Sequence, residues 1–361
     1  MEEVVESSEK EIQFFQKRSF LWVVAGVTIL IFCFFVYSSL SYNFYQKDFS
    51  EFQKCGDGTF EGYCSLSKPY YCSGGILIQN VSKCGCPDSA TFSSGECLSE
   101  YSRNGTFSSF NYFLGGTQKN LSLETYPLLL NYLLNLSRAK IYYGGELPRR
   151  DDFKLSQINE PIQSDYLNPL VVKIQNLAPD SKEIQARIAI SLVQNIPYNE
   201  SKFVSILGTK VRLSRYPYQV LIENQGSCEG KSELLAYILR KIGFGVVLFY
   251  FPEGDHEAVG IKCPIENSYL GTGYCFVETT VPSLISFSDG EYLNAEGLSK
   301  LKGKPEFVLI SDGISLPKNL EDYQDSKILS SLMNKISNSG SLNPIDNSRM
   351  NSLREKYHLA F

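Results

Sequence analysis

Histidine is almost missing from this chain: two occur in 361 residues, His256 and His358. Any imidazole chemistry rests on these two. Basic runs are missing as well. The 34 Lys and Arg are scattered among 39 Asp and Glu, for a net charge of -5, which gives no electrostatic footprint for nucleic acid or anionic lipid. The cysteine-rich stretch lacks any C-x-x-C spacing and any histidine, so the usual zinc ligand sets are not there. No metal, cofactor or nucleic acid is expected, and the oligomeric state is left open.

A long apolar run is present. Ser19 to Leu40 is uncharged and, as a helix rising about 1.5 Å per residue, would just cross a hydrocarbon core of about 30 Å. A single transmembrane helix is expected. A cleaved signal peptide is the rival, since Ser39-Leu40-Ser41 is small at its ends, but such signals have an apolar region of only about 7 to 15 residues. Charge around the span orients it weakly, with Lys10, Lys17 and Arg18 before it and Lys47 and Lys54 after it. Cysteines and sequons orient it better. Every cysteine except Cys33 follows the span, as do the Asn-x-Ser/Thr sites at Asn80, Asn104, Asn120, Asn135 and Asn199, so the N-terminus is expected inside the cell membrane and the body outside.

Six segments follow from the pattern: a cytoplasmic tail (1–18), the span (19–40), a cysteine-rich module (41–100), a connecting region (101–179), a core (180–290) and a polar, helical extension (291–361). Cys55, Cys64, Cys72, Cys84, Cys86 and Cys97 read as a disulfide knot whose pairing the sequence does not choose. The apolar run Tyr126 to Leu136 is too short to span and is expected to pack on the core. That core opens on Asp180-Ser181-Lys182-Glu183, which reads as a capping box on Asp180, before a helix with Ile184, Ile188, Leu192 and Ile196 in one stripe that Pro197 stops. A second helix is predicted over Cys228 to Ile242, ended by Gly243. Strands are predicted at Val246 to Phe251, His256 to Cys263 and Tyr274 to Thr280, giving an α+β fold of N-terminal helices and an antiparallel sheet. Helices are also predicted at Leu320 to Ile336 and Met350 to Tyr357, with His358 a surface residue.

Cys228, His256 and Glu278 are the candidate catalytic set. At a helix N-terminus the thiolate of Cys228 is favoured by unpaired N–H groups and the helix dipole, and by a nearby imidazolium. His256 would carry the proton and Glu278 would fix its tautomer. The Cys228 N–H is a natural oxyanion donor, with Gln225 or Asn224 as a second. In an antiparallel hairpin His256 can stand opposite Glu278, on one face. Asp255 and Glu257 then point to the other face and read as solvated. In the same register Cys263 stands opposite Gly271, too far along the strand from Cys275 for a disulfide unless Pro264 turns the chain back. That bond is left open.

The stretch from Gln185 to Thr280 also resembles the transglutaminase-like superfamily, within it the membrane-anchored archaeal forms. The matching pieces run from Ala186-Arg187-Ile188 to Ile196-Pro197-Tyr198, through Arg215-Tyr216-Pro217-Tyr218, Gly226-Ser227-Cys228 and Gly254-Asp255-His256, to Val277-Glu278-Thr279-Thr280. The resemblance implies a papain-like core and attack on an amide carbonyl through a thioester acyl-enzyme. Two features depart from the family: Glu278 stands where many members have Asp, and no tryptophan follows the cysteine, the only one being Trp22. The animal enzymes' calcium sites are not recognisable.

Two functions are expected from this. One is a membrane-anchored extracytoplasmic cysteine enzyme, hydrolase or acyltransferase, acting on peptide or side-chain amides of a protein or peptide substrate. The other is an inert surface protein that uses the same fold for binding or scaffolding, since a fold does not guarantee its chemistry.

Overall fold

The computed structural model describes residues 26–38, 53–138, 144–145, 147–206, 209–285, 290–294 and 297–359. Two compact units divide at Gln53 and Lys54. In the first, helix α1 covers residues 26–38 and is exposed throughout. The expected tail and both ends of the expected span lie outside the described residues. Among the described residues no helix is long and apolar enough to cross a membrane.

The second unit opens with two short hairpins, β1 (Tyr70–Ser73) with β2 (Ile76–Gln79) and β3 (Thr91–Ser93) with β4 (Glu96–Leu98), separated by one helical turn, α2 (Val81–Cys84). A longer hairpin, β5 (Thr106–Leu114) and β6 (Thr117–Thr125), leads to helices α3 (Pro127–Asn135), α4 (Arg150–Ile158), α5 (Pro161–Leu177) and α6 (Lys182–Gln194). Hairpin β7 (Lys202–Ile206) and β8 (Thr209–Leu213) precedes α7 (Pro217–Glu223) and α8 (Cys228–Ile242). Next come β9 (Val246–Phe251), β10 (His256–Lys262) and β11 (Tyr274–Val277). Hairpin β12 (Glu291–Asn294) and β13 (Gly297–Lys300), strand β14 (Glu306–Ser311) and helices α9 (Glu321–Ser339) and α10 (Pro344–Tyr357) complete the chain.

The cysteine-rich part pairs Cys55 with Cys72, Cys64 with Cys84 and Cys86 with Cys97. It is packed against the helices. Tyr70, Leu77 and the Cys55–Cys72 bridge share a small core with Val172 of α5, and the Asn176 amide meets both the N–H and the carbonyl of Leu77 at 2.8 Å, as a neighbouring strand would. Lys182 and Gln185 of α6 donate to the Gly56 carbonyl at 2.7 and 3.1 Å. Four of the sequon asparagines, Asn104, Asn120, Asn135 and Asn199, are exposed, and Asn80 is half-buried as the N-cap of α2.

Helix α6 starts one residue later than the capping box implies. Ser181, in extended backbone, accepts from the N–H of Ile184 at 3.2 Å and is the cap in place of Asp180. The helix is also buried on more than its predicted stripe: Ala186, Ala189, Ile190 and Val193 are covered along with Ile188 and Leu192. Helix α8 has the predicted bounds because both its ends carry local signals. The Ser227 side chain accepts from Gly230, and Gly243, at φ 112, takes the left-handed turn that closes the helix on the Arg240 and Leu239 carbonyls.

The central sheet runs β11-β10-β9-β14, all antiparallel. Strand β9 is sealed on both faces, which is why its apolar run does not alternate. Val246 and Leu248 join Val259, Ile261 and the α8 side chains Leu235, Ile238 and Leu239 in the main core. Val247, Phe249 and Phe251 face the other way, into an aromatic cluster with Tyr269 and Phe276. The edge strand β14 corrects the expectation for the extension. It lies in a stretch that reads as polar, with Val308 and Ile310 buried and Phe307 and Leu309 exposed, so a core boundary at residue 290 cuts through the sheet.

The β10–β11 register is a second correction. Val259 opposes Val277 and Ile261 opposes Cys275, two residues from the pairing that sets His256 opposite Glu278. A shift of two preserves the faces. It also brings Cys263, just past the end of β10, beside Gly273, to which its N–H donates at 2.9 Å, and lets it bond Cys275 across a Cα separation of 5.7 Å. The bridge closes a loop of sequence separation 12, so replacing both cysteines by serine should cost about 2 to 4 kcal/mol. The denaturation midpoint in urea measures this, and an unchanged midpoint would show that the bridge contributes nothing.

Candidate active site

Local hydrogen bonds set the N-terminus of α8 in place. The segment from Pro197 to Asn199 lies beside Gly226, with the Gly226 N–H on the Pro197 carbonyl at 3.1 Å and the Asn199 N–H on the Gly226 carbonyl at 3.0 Å. Arg215, buried, donates to Glu223 and to the carbonyls of Asn199 and Glu200. Ser201 and Ser227 share a hydroxyl bond of 2.9 Å. Cys228 then occupies the first residue of the helix, 6% exposed.

The three candidate residues are brought together. His256 opens β10, and its Nε2 lies 2.9 Å from Oε2 of Glu278, one residue past β11. The Cys228 side chain lies close enough to act on the ring's charge, and with Nε2 on the carboxylate the nitrogen left for sulfur is Nδ1. Tyr292 of β12 stacks on the imidazole at 4.4 Å. Burial pulls the pKa of His256 down, but the Glu278 charge, with the nearby Cys228 side chain and the bond to Glu278, outweighs it and raises it to about 10. The imidazole is therefore charged at neutral pH.

Glu278 is fully buried. Burial pushes its carboxyl pKa up, yet His256 and the donors of Thr280 leave it below the ordinary value. Its Oε1 accepts from the N–H groups of Thr279 and Thr280 at 2.9 and 2.8 Å and from the Thr280 hydroxyl at 2.6 Å, which leaves Oε2 for His256. The extra methylene of Glu over Asp is taken up by folding the carboxylate back over its own turn.

Of the second oxyanion candidates, Gln225 accepts from the Asn199 amide at 2.8 Å, and Asn224 is the exposed, left-handed cap of α7. Asp255 does lie at the surface, ion-paired with Arg212 of β8. Glu257 does not: it is 1% exposed. It points away from the His256 face as expected, but α4 and α8 cover that face. There Arg150 and Lys154 of α4 meet Glu257 at 2.8 and 3.1 Å, and Lys154 also meets Glu233 at 2.7 Å. With Glu229, this group holds three carboxylates against two cations. Burial, then the neighbouring acids, raise the Glu233 pKa against the pull of Lys154.

Three further residues shape the site without having drawn notice in the sequence: Tyr292, Gln194 and Lys231. A stack from a separate hairpin leaves no local pattern, and Gln194 sits inside a helix with no special spacing. Lys231, three residues after Cys228, is fully buried, and the one available signal was a charge on the packed face of α8. Burial lowers the Lys231 pKa to about 7, with Glu278 working against that. His358, by contrast, is exposed and stacks on Phe113. Among the described residues no group of three or more His, Cys, Asp and Glu side chains is arranged to hold a metal ion.

No family model and no curated protein matches the chain. Among solved structures it is similar to calcium-bound LapG of Legionella pneumophila, over 48% of this chain and 97% of that one, at 16% identity and a TM-score of 0.26. A likeness at that score carries no argument here.

Two outcomes test the electrostatics. Lys154→Met leaves Glu233 and Glu257 buried without their shared cation and should cost about 3 to 5 kcal/mol in urea unfolding; a loss below about 1 kcal/mol would contradict the network. For His256 the folded pKa lies above the unfolded value of 6.5, so its stabilisation is complete below 6.5 and is lost as pH rises through about 10. The stability gap between wild type and His256→Gln should therefore narrow across that window. A gap that widens toward alkaline pH would refute the assignment.

Proposed function

We propose that this protein is an extracytoplasmic, membrane-anchored cysteine enzyme of transglutaminase-like type that acts on peptide or side-chain amides through a thioester acyl-enzyme. The observation that carries this is the bond from His256 to the buried carboxylate of Glu278, with Cys228 at the start of α8 close enough to act on the same ring. Four disulfides among the described residues support an oxidising compartment, and the uncharged run from Ser19 to Leu40 supports the anchor.

The chemistry follows from the charges. The attack runs from a thiolate–imidazolium pair, in which His256 carries the thiol proton. Sulfur attacks the amide carbonyl carbon, and the electron pair moves onto oxygen, where the Cys228 N–H and the α8 N-terminus stabilise it. As the carbonyl re-forms and the C–N bond breaks, His256 gives its proton to the leaving amine. The thioester is then attacked by water or by a second amine, whose proton returns to His256 as sulfur leaves. Glu278 holds the ring in one tautomer throughout.

The inert reading draws on one specific observation. Cys228 and His256 are only 6% and 8% exposed, and Tyr198 lies close enough for the sulfur's charge, second to burial, to raise its phenol pKa. Orientation favours the enzyme and enclosure favours the binder. Iodoacetamide decides between them when the Cys228 peptide of the full chain, in detergent, is followed by mass analysis so that Cys33 does not interfere. The enzyme reading expects rapid labelling well below pH 8, slowed about 100-fold or more by His256→Gln. Slow labelling with an ordinary thiol profile would sink it. Incubation of wild type and Cys228→Ala with a protein mixture and a labelled amine then separates amine incorporation, deamidation and cleavage.

A further inference from the structure

Lys231 takes no part in the steps above, yet a buried ammonium is among the costliest groups to keep in a fold. Its Nζ has three donors and meets three backbone carbonyls: Gln194 at 3.2 Å, Ile196 at 2.6 Å and Thr280 at 3.1 Å. The first ends α6, the second lies two residues past it, and the third belongs to the turn that carries the Glu278 carboxylate. Gln194 fastens the same turn from the other side, its amide donating to the carbonyls of Glu278 and Ser283 at 2.8 and 3.1 Å. Thr279, between the two anchored carbonyls, shares a 3.0 Å hydroxyl bond with Ser232 of α8.

We infer that Lys231 and Gln194 are positioning residues, which fix the Glu278 turn so that its free carboxylate oxygen meets His256. The inference rests on the acyl-transfer reading of Cys228. A lysine suits this place because its three donors reach carbonyls on two segments at once, the end of α6 and the Glu278 turn.

The chain makes room for this lysine. A Cβ on Gly226, two residues before Cys228, would stand 3.0 Å from Lys231 Cγ and 3.1 Å from Val220 Cγ1, so any side chain there would press on the lysine stem.

Two variants of the full chain in detergent test the inference, Lys231→Met, which removes donors and charge, and Gln194→Met, which removes donors only. Iodoacetamide labelling of the Cys228 peptide is followed against pH. In both variants the rate at about pH 6 should fall about tenfold, because the imidazole that serves the thiol loses its fixed orientation. The imidazole spectrum gives a second readout, easily assigned with two histidines in the chain: the Nε2 proton shared with Glu278 should be seen in wild type and lost or shifted in both variants. Should Lys231→Met not fold, Gln194→Met decides by its rate and its imidazole signal. Folded variants that keep the wild-type rate and imidazole signal would overturn the inference. If wild-type Cys228 itself labels as an ordinary thiol, the acyl-transfer reading fails first, and this inference falls with it.

Discussion

A carboxylate with no access to water has to find its solvation in the protein, and Glu278 organises the site around that need. Its two oxygens are not equivalent. One is saturated by the turn that follows it, from Thr279 and Thr280, and the other has the imidazole of His256 as its partner. The turn can serve this way only while its own carbonyls are held, by Gln194 at one end and Lys231 at the other. The orientation of His256, and through it the state of Cys228, thus depends on where one buried charge is solvated.

The first six residues of α8 distribute the consequences. Cys228 is at the helix start, Lys231 reaches α6 and the Glu278 turn, Ser232 bonds both the Glu257 carbonyl and Thr279, and Glu233 enters the ion group on α4. Two buried charge groups therefore flank the same helix turn, the one around Glu278 and the one around Lys154. Breaking either group leaves an uncompensated charge in the interior, which is far costlier than the loss of an exposed pair such as Arg212 with Asp255. The thiol is set against a stiff background as a result.

The candidate triad was legible because its members carry local marks: a cysteine after a capping serine at a helix start, the one histidine that lies in the body of the chain, and an acid at a strand end. The length of Glu278 is absorbed by the turn that follows it, which gives Oε1 three donors. Less legible was anything that depends on register or on a distant neighbour. Glu257 reads as solvated by strand parity alone, because parity tells which face a residue takes and not whether a helix covers that face. The Cys263–Cys275 bond stayed open in the sequence, because the register expected there lies two residues from the one adopted, although both registers place His256 and Glu278 on one face.

By itself the sequence determined the bounds of α8, between the caps Ser227 and Gly243, the positions of β9 and β10 and the α+β order of the core, and it put Cys228, His256 and Glu278 forward as candidates. These rest on caps, periodicity and turn chemistry, which act within a few residues of chain. Only the tertiary structure decided the pairing of the cysteines, the addition of β14 to the sheet, the burial of Lys154, Lys231, Glu233 and Glu257, and the stack of Tyr292 on His256. Each of these joins segments far apart along the chain. A charge or an apolar residue in the sequence states what it needs, and the folded chain alone determines which neighbour meets that need.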